Sequence, residues 1–206
     1  MNYPVPRPRQ RRAQATRQRL YEAALAEYAR VGVTDARVED IVAAADVSWG
    51  TFFHYFPAKE DVLLVAAADV CRAYAAALAE GLEAGRDTAT VLADGFAAMR
   101  VAALALTDSA PLRTQMISYV TSHPGRLSAV LGDDAVPPVA ATTAVMAEGQ
   151  RRGEVRTDEP AEAFAVIVLY SVLFTARRQV AFGLPPGAKS LGSLALEVAL
   201  RGMRPD

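Results

Sequence analysis

VEDIVAAADVSWGTFFHYFPAK, residues 38–59, is the stretch whose reading decides the fold. Val38, Ile41, Val42 and Ala45 fall at i, i+3, i+4 and i+7, one apolar stripe of a short helix. Asp46 breaks that stripe, and Asp tolerates the left-handed backbone of a tight turn. Val47 can plug the turn into a core. Ser48 is a good N-cap for a second helix, because its hydroxyl can accept from an amide two or three residues on. In that second helix Phe52 and Phe56 share one face, which leaves Trp49, Gly50, Phe53 and His54 pointing the other way. Pro57 ends it. Two short helices joined by a tight turn, the second with an aromatic outer face, outline a helix-turn-helix.

Working outward, residues 1–59 hold nine basic and six acidic side chains, a local charge of +3 in a chain whose net charge is −1. The positive charge therefore gathers around the motif, as a nucleic-acid-facing domain requires. Arg7, Arg9, Arg11 and Arg12 lie in an acid-free, proline-broken segment before it. That segment reads as an arm for phosphates or a minor groove, and otherwise as a solvated tail. A first helix is expected from about Ala15 to Arg30, capped by Thr16. Leu20, Ala23, Ala24 and Tyr28 face inward, and Gly32 ends it.

After Lys59 the chain is rich in alanine and poor in glycine–proline clusters, which favours helices throughout. Helices are expected from about Ala58 to Leu82, Asp87 to Leu106, Pro111 to Ser122, about Pro138 to Arg152, Pro160 to Phe182 and Ser190 to Gly202. A short extra turn is expected at Arg126–Leu131. The fold class is all-α with about nine helices. A helix-turn-helix domain over 1–58 is followed by a second helical domain over 59–206.

The run D-V-S-W-G-T-F-F-H-Y-F-x-x-K from Asp46 to Lys59 resembles the tetracycline-repressor (TetR) signature, roughly G-V-S-x-G-T-L-Y-x-H/Y-F-x-x-K. Asp46 stands where a turn glycine is usual, and Phe53 stands where a tyrosine hydroxyl would bond DNA. The resemblance implies a homodimeric, ligand-responsive DNA-binding repressor, with 59–206 as its effector-binding and dimerisation domain and its last two long helices forming a dimeric four-helix bundle. It assigns DNA contacts to Arg37, Ser48, Trp49, Gly50, Thr51, Phe53, His54, Tyr55 and Lys59. Trp49 faces bases, where an indole can pack on a thymine methyl, while Thr51, His54, Tyr55 and Lys59 are assigned to phosphates. Packing against neighbouring helices is the competing reading for His54 and Tyr55, and a solvated charge is the competing reading for Arg37.

The implied partners are a pseudo-palindromic double-stranded operator, a small and largely apolar effector, and a second copy of the chain. Polar or aromatic effector candidates are Tyr74, Arg100, Gln115, Met116, Tyr119 and His123, each of which also serves as an ordinary structural residue. Phe164, Ile167, Val168, Tyr170, Ser171 and Phe174 leave their helix apolar nearly all round, so one face needs a partner chain, and Phe164, Ile167, Tyr170, Ser171 and Phe174 are expected at that dimer interface. The alternative is an architectural or constitutive DNA-binding protein without an effector.

Enzyme chemistry is not expected. There are only two histidines, one inside the helix-turn-helix, and neither a phosphate loop nor a dinucleotide glycine pattern is present. A single cysteine excludes a disulfide framework, and no metal or cofactor is expected. Cys71 reads as a small buried hydrophobe rather than a redox switch. The basic start is followed by no apolar segment, so a cytoplasmic protein without a signal peptide is expected. The most apolar run, Ala163–Phe174, is shorter than the ~20 residues a membrane-crossing helix needs.

Overall fold

The computed structural model describes residues 8–131, 137–183 and 190–205, and these form ten helices and no strand. The chain divides into two compact units, Met1–Leu63 and Leu64–Asp206.

The first unit holds α1 (Pro8–Val31), α2 (Val38–Ala44) and α3 (Trp49–Tyr55), and ends in the first residues of α4 (Asp61–Glu83). Helix α1 begins well before the expected start at Ala15, and Thr16 lies inside it rather than capping it. The reason is local. Pro8 occupies the first turn, where its missing N–H costs nothing, and the Gln, Arg and Ala residues behind it are good helix formers. Arg9, Arg11 and Arg12 are thus helical, while Arg7 and the rest of the expected arm lie outside the described residues. Gly32, at φ 85°, ends α1 with its N–H on the Tyr28 carbonyl at 2.9 Å.

Leu20, Tyr21, Ala24 and Tyr28 of α1 are buried together with Ile41 and Val42 of α2 and Phe52 and Phe56 of α3. Ala23 is only half-buried, and Tyr21 was not anticipated among the inward residues. Asp46 adopts φ 52°, the left-handed turn its side chain permits.

Helix α4 starts at Asp61 rather than near Ala58. The residues before it belong to the first unit by their bonds. The Tyr28 hydroxyl donates to the Lys59 carbonyl at 2.6 Å, and the Ala58 N–H donates to Asp61 Oδ2 at 3.0 Å. This bracing places the end of the first unit beyond the sequence-based boundary at 58.

The second unit comprises the rest of α4, then α5 (Thr88–Leu106), α6 (Ala110–Ser122), α7 (Pro124–Leu131), α8 (Pro138–Arg151), α9 (Ala161–Phe182) and α10 (Leu191–Gly202). The short turn expected near Arg126 is the separate helix α7, which accounts for ten helices where about nine were expected. Asp87, Ser109 and Ser190 cap α5, α6 and α10 through their side chains. One core runs through Tyr74 and Leu78, Val91 and Leu92, Val145 and Met146, then Phe164, Val168 and Leu169, and finally Leu196 and Met203. Helix α9 packs against α6, α8 and α10. Gly95 lets α5 approach α4, since a Cβ there would sit 2.5 Å from Leu78 Cδ2 and 3.1 Å from the Tyr74 ring.

By length and composition α4, α5 and α9 are each apolar enough to cross a membrane, which corrects the expectation drawn from the contiguous run at Ala163–Phe174 alone. Alanine is the cause in α4: it raises mean hydropathy over a long helix while leaving little side chain to bury, and 56% of that helix's most apolar window is inside the protein.

Candidate nucleic-acid interface

Helix α3 is set by its cap and its buried side. Ser48 Oγ accepts from the Thr51 N–H at 3.3 Å and lies 2.8 Å from Thr51 Oγ1, so the Thr51 hydroxyl is already engaged in the cap. Phe52 is fully buried and packs against Phe56 with ring centroids 5.5 Å apart. Phe53 leans edge-on against Phe52 at 5.3 Å, and Trp49 lies over Phe53 at 4.3 Å. The four rings form a ladder from the core to the surface, and its last rung, Trp49, is 55% exposed.

Ser48, Gly50 and His54 are exposed beside Trp49, and nothing lies within 4 Å of a Cβ built on Gly50. Thr51, Phe53 and Tyr55 are half-buried, with the Tyr55 ring against His54 at 5.0 Å. The outward surface therefore unites Ser48, Trp49, Gly50 and His54, while Phe53 and Tyr55 support it from below. Arg37 stands in solvent at the start of α2, 3.7 Å from Glu39.

Lys59 departs from the flexible point charge its position implies. Its ammonium donates to the Thr34 carbonyl at 2.7 Å and the Ala36 carbonyl at 3.0 Å, tying the segment after α3 to the loop that leads into α2. Two of three donors are thereby spent inside the domain. Tyr28 completes the brace, and burial, then the nearby Glu60 and Asp61 charges, hold its phenol protonated to far above the usual pH. Sequence reasoning counted Arg17 only as charge, yet its guanidinium lies 5.7 Å from the centre of the Phe56 ring at the end of α3. A 39-residue separation left no signal for that contact.

The six effector candidates do not converge. Tyr74 is fully buried, and its hydroxyl lies 2.8 Å from Thr142 Oγ1, so it is a satisfied core residue. Met116 is buried on α6, Gln115 is half-buried there, and Arg100 is exposed on α5. Tyr119 and His123 do come together, with rings 4.3 Å apart and His123 Nδ1 donating to the Tyr119 carbonyl at 2.9 Å. Arg126, missed in the sequence, joins them by donating to the Tyr119 hydroxyl at 2.7 Å. A surface recess of about 400 Å³ lies elsewhere, lined by Gly153, Val155, Arg156, Thr157, Asp158 and Pro205. Burial pushes the Cys71 thiol up to about 11, which leaves it un-ionised at neutral pH.

On α9, Ile167, Tyr170 and Phe174 are exposed, and on the adjoining α10 so are Leu194 and Val198. Phe164 and Val168 are not part of this face. Both point into the core, and for Phe164 this corrects its expected place at the dimer interface. Ser171 is half-buried, its hydroxyl donating to the Val168 carbonyl at 3.0 Å.

Residues 20–66 match the family of bacterial regulatory proteins described as the tetR family. Among solved structures, the chain is similar to the TetR-family transcriptional repressor FadR of Thermus thermophilus in complex with lauroyl-CoA. The identity is 27%, with 90% of this chain and 91% of that one covered at a TM-score of 0.68. It is also similar to SmeT, the repressor of the Stenotrophomonas maltophilia multidrug efflux pump SmeDEF (22% identity, 94% and 93% covered, TM-score 0.66). A regulatory protein TetR from Rhodobacter sphaeroides is similar at 22% identity (91% and 98% covered, TM-score 0.60). No curated protein sequence matches. The fold and the motif are those of a helix-turn-helix transcriptional regulator. Residues 20–66 thus carry the tetR-family match, and nine-tenths of the chain shares the fold of a TetR-family repressor.

Proposed function

We propose that the protein is a homodimeric repressor that binds a pseudo-palindromic operator and leaves it on binding a small, largely apolar effector. The observation that carries the DNA half is Trp49. A large ring propped from beneath and left 55% exposed on the outward face of a recognition helix offers an apolar surface that its own domain does not cover. Two copies are supported by the apolar stripe of Ile167, Tyr170 and Phe174 on α9, continued by Leu194 and Val198 on α10. Two-fold symmetry of the protein then imposes two-fold symmetry on the DNA, with half-sites about one turn, ~34–36 Å, apart.

The effector half is supported by the likeness to FadR, a repressor solved in complex with lauroyl-CoA. Tyr119, His123 and Arg126 are the polar group on α6 and α7 suited to orient such a molecule. Helix α4 belongs to the first unit through Asp61–Leu63 and to the second from Leu64 on, so it is the continuous element through which an effector would act. The effector must bind the DNA-free state more tightly than the bound state, because equal affinity shifts nothing.

The test starts with selection from a random duplex library, followed by sedimentation and titration of the selected duplex with lauroyl-CoA and a panel of apolar small molecules. Enrichment of an inverted repeat by a dimer, and its release by one of these compounds, is the expected result. Enrichment without release by any compound would favour a constitutive DNA-binding protein. Failure to enrich any duplex would remove the DNA-binding reading.

A further inference from the structure

We propose that the Trp49–Phe53 pair reads the C5-methyl groups of thymine, so that the half-site is recognised chiefly by apolar contact. This rests on the DNA-binding reading above and says which chemistry the site takes.

The argument begins with what α3 lacks. Its sequence, WGTFFHY, contains no Arg or Lys for guanine, no Asn or Gln for adenine, and no Asp or Glu for cytosine. The Thr51 hydroxyl is engaged with Ser48 in the cap. Besides the imidazole of His54 and the hydroxyl of the half-buried Tyr55, the helix offers aromatic surface and one indole N–H. The major-groove feature that aromatic surface matches is the thymine methyl.

Geometry makes the surface suitable. Trp49 is held by Phe53 at 4.3 Å, and Phe53 by the fully buried Phe52 at 5.3 Å. The exposed ring therefore has its orientation set before DNA arrives and loses little freedom on binding. Gly50 beside it leaves the space over the helix open, with nothing within 4 Å of its absent Cβ. Phe53, without the hydroxyl of a tyrosine, is a positioning residue here: its contacts are the two rings it separates.

The experiment takes the full-length protein and the duplex enriched from a random library, then replaces thymine by deoxyuridine one position at a time. That change deletes the methyl and leaves the pairing intact. Wild type should weaken about 4-fold for each contacted methyl removed, from ~0.8 kcal/mol per buried carbon group, at one or two thymines in each half-site. Trp49→Ala, an exposed substitution, should bind both duplexes alike, with its melting temperature unchanged. Phe53→Ala should reduce the thymine-to-uracil ratio with its salt slope unchanged, which a general loss of structure would not produce.

Wild-type indifference to uracil overturns the proposal and leaves DNA binding standing. Equal sensitivity in wild type and Trp49→Ala also overturns it, by assigning the methyl effect to duplex shape. So does an enriched half-site without thymine. If no duplex is enriched, this proposal falls together with the reading it rests on. If Phe53→Ala fails to fold, the comparison with Trp49→Ala decides alone.

Discussion

Trp49 on α3 and Phe174 on α9 are both large apolar side chains left in solvent, 55% and 66% exposed, yet their surroundings call for different partners. Trp49 is a single ring on a seven-residue helix, flanked by a serine, a glycine and a histidine, in the unit where basic charge collects. Phe174 belongs to a stripe that continues through Ile167 and Tyr170 and across to Leu194 and Val198 on the next helix. A single exposed indole, propped by Phe53 among small and polar groups, suits the edge of a base pair. A continuous stripe over two packed helices suits a second copy of itself, because only an equally apolar surface can cover it without stranding polar groups. Exposure alone does not distinguish the two; the neighbours do.

The contrast breaks most visibly at Phe174. Phe174→Glu should convert dimer to monomer in sedimentation and lower affinity for the enriched duplex by about 100-fold or more, as the second half-site contact becomes independent. A dimer that survives the charge would move the interface away from α9.

Next comes Lys59, which separates bracing from phosphate contact. Lys59→Met removes two charge-assisted bonds to the Thr34 and Ala36 carbonyls and should cost the first unit about 2–3 kcal/mol, read by denaturant unfolding. Tyr28→Phe, which deletes a single bond to the Lys59 carbonyl, should cost about 1 kcal/mol. Unchanged unfolding of Lys59→Met, with only a shallower salt dependence of DNA binding, would make it a phosphate contact after all.

Arg11 and Arg12 are exposed on the first turns of α1, and replacing both by Gln should reduce the slope of log K against log salt by up to about two units. An unaltered slope would show that this end of α1 stays clear of the duplex.

The last contrast concerns Cys71. Its ordinary value of 9 is raised to about 11 by burial, so the folded state holds the proton that the unfolded state releases. The thiol's contribution is complete below pH 9 and is lost as pH rises towards 11, at up to about 1.4 kcal/mol per pH unit. Tyr74, raised to about 12 by burial, extends the same alkaline loss. Cys71→Ala should flatten the fall in stability between pH 9 and 11, measured by chemical denaturation, and a parallel pair of curves would count against it.

What the sequence determined by itself was local. Asp46 at its turn, Ser48 at its cap, Gly32 at its helix end and the burial of Phe52 and Phe56 depend on neighbours within a few residues, so spacing suffices to read them. The outward aromatic face of α3 followed by subtraction. Only the tertiary structure decided the rest. A helix apolar nearly all round, such as α9, has no periodicity that tells inside from outside, and packing against α6, α8 and α10 turned Phe164 and Val168 inward while leaving Ile167, Tyr170 and Phe174 out. Lys59 went to carbonyls more than twenty residues back in the chain, and Tyr74 to a threonine sixty-eight residues on. Those partners are set by which helices meet, and a hydrogen bond across such a separation leaves no mark in the order of the residues.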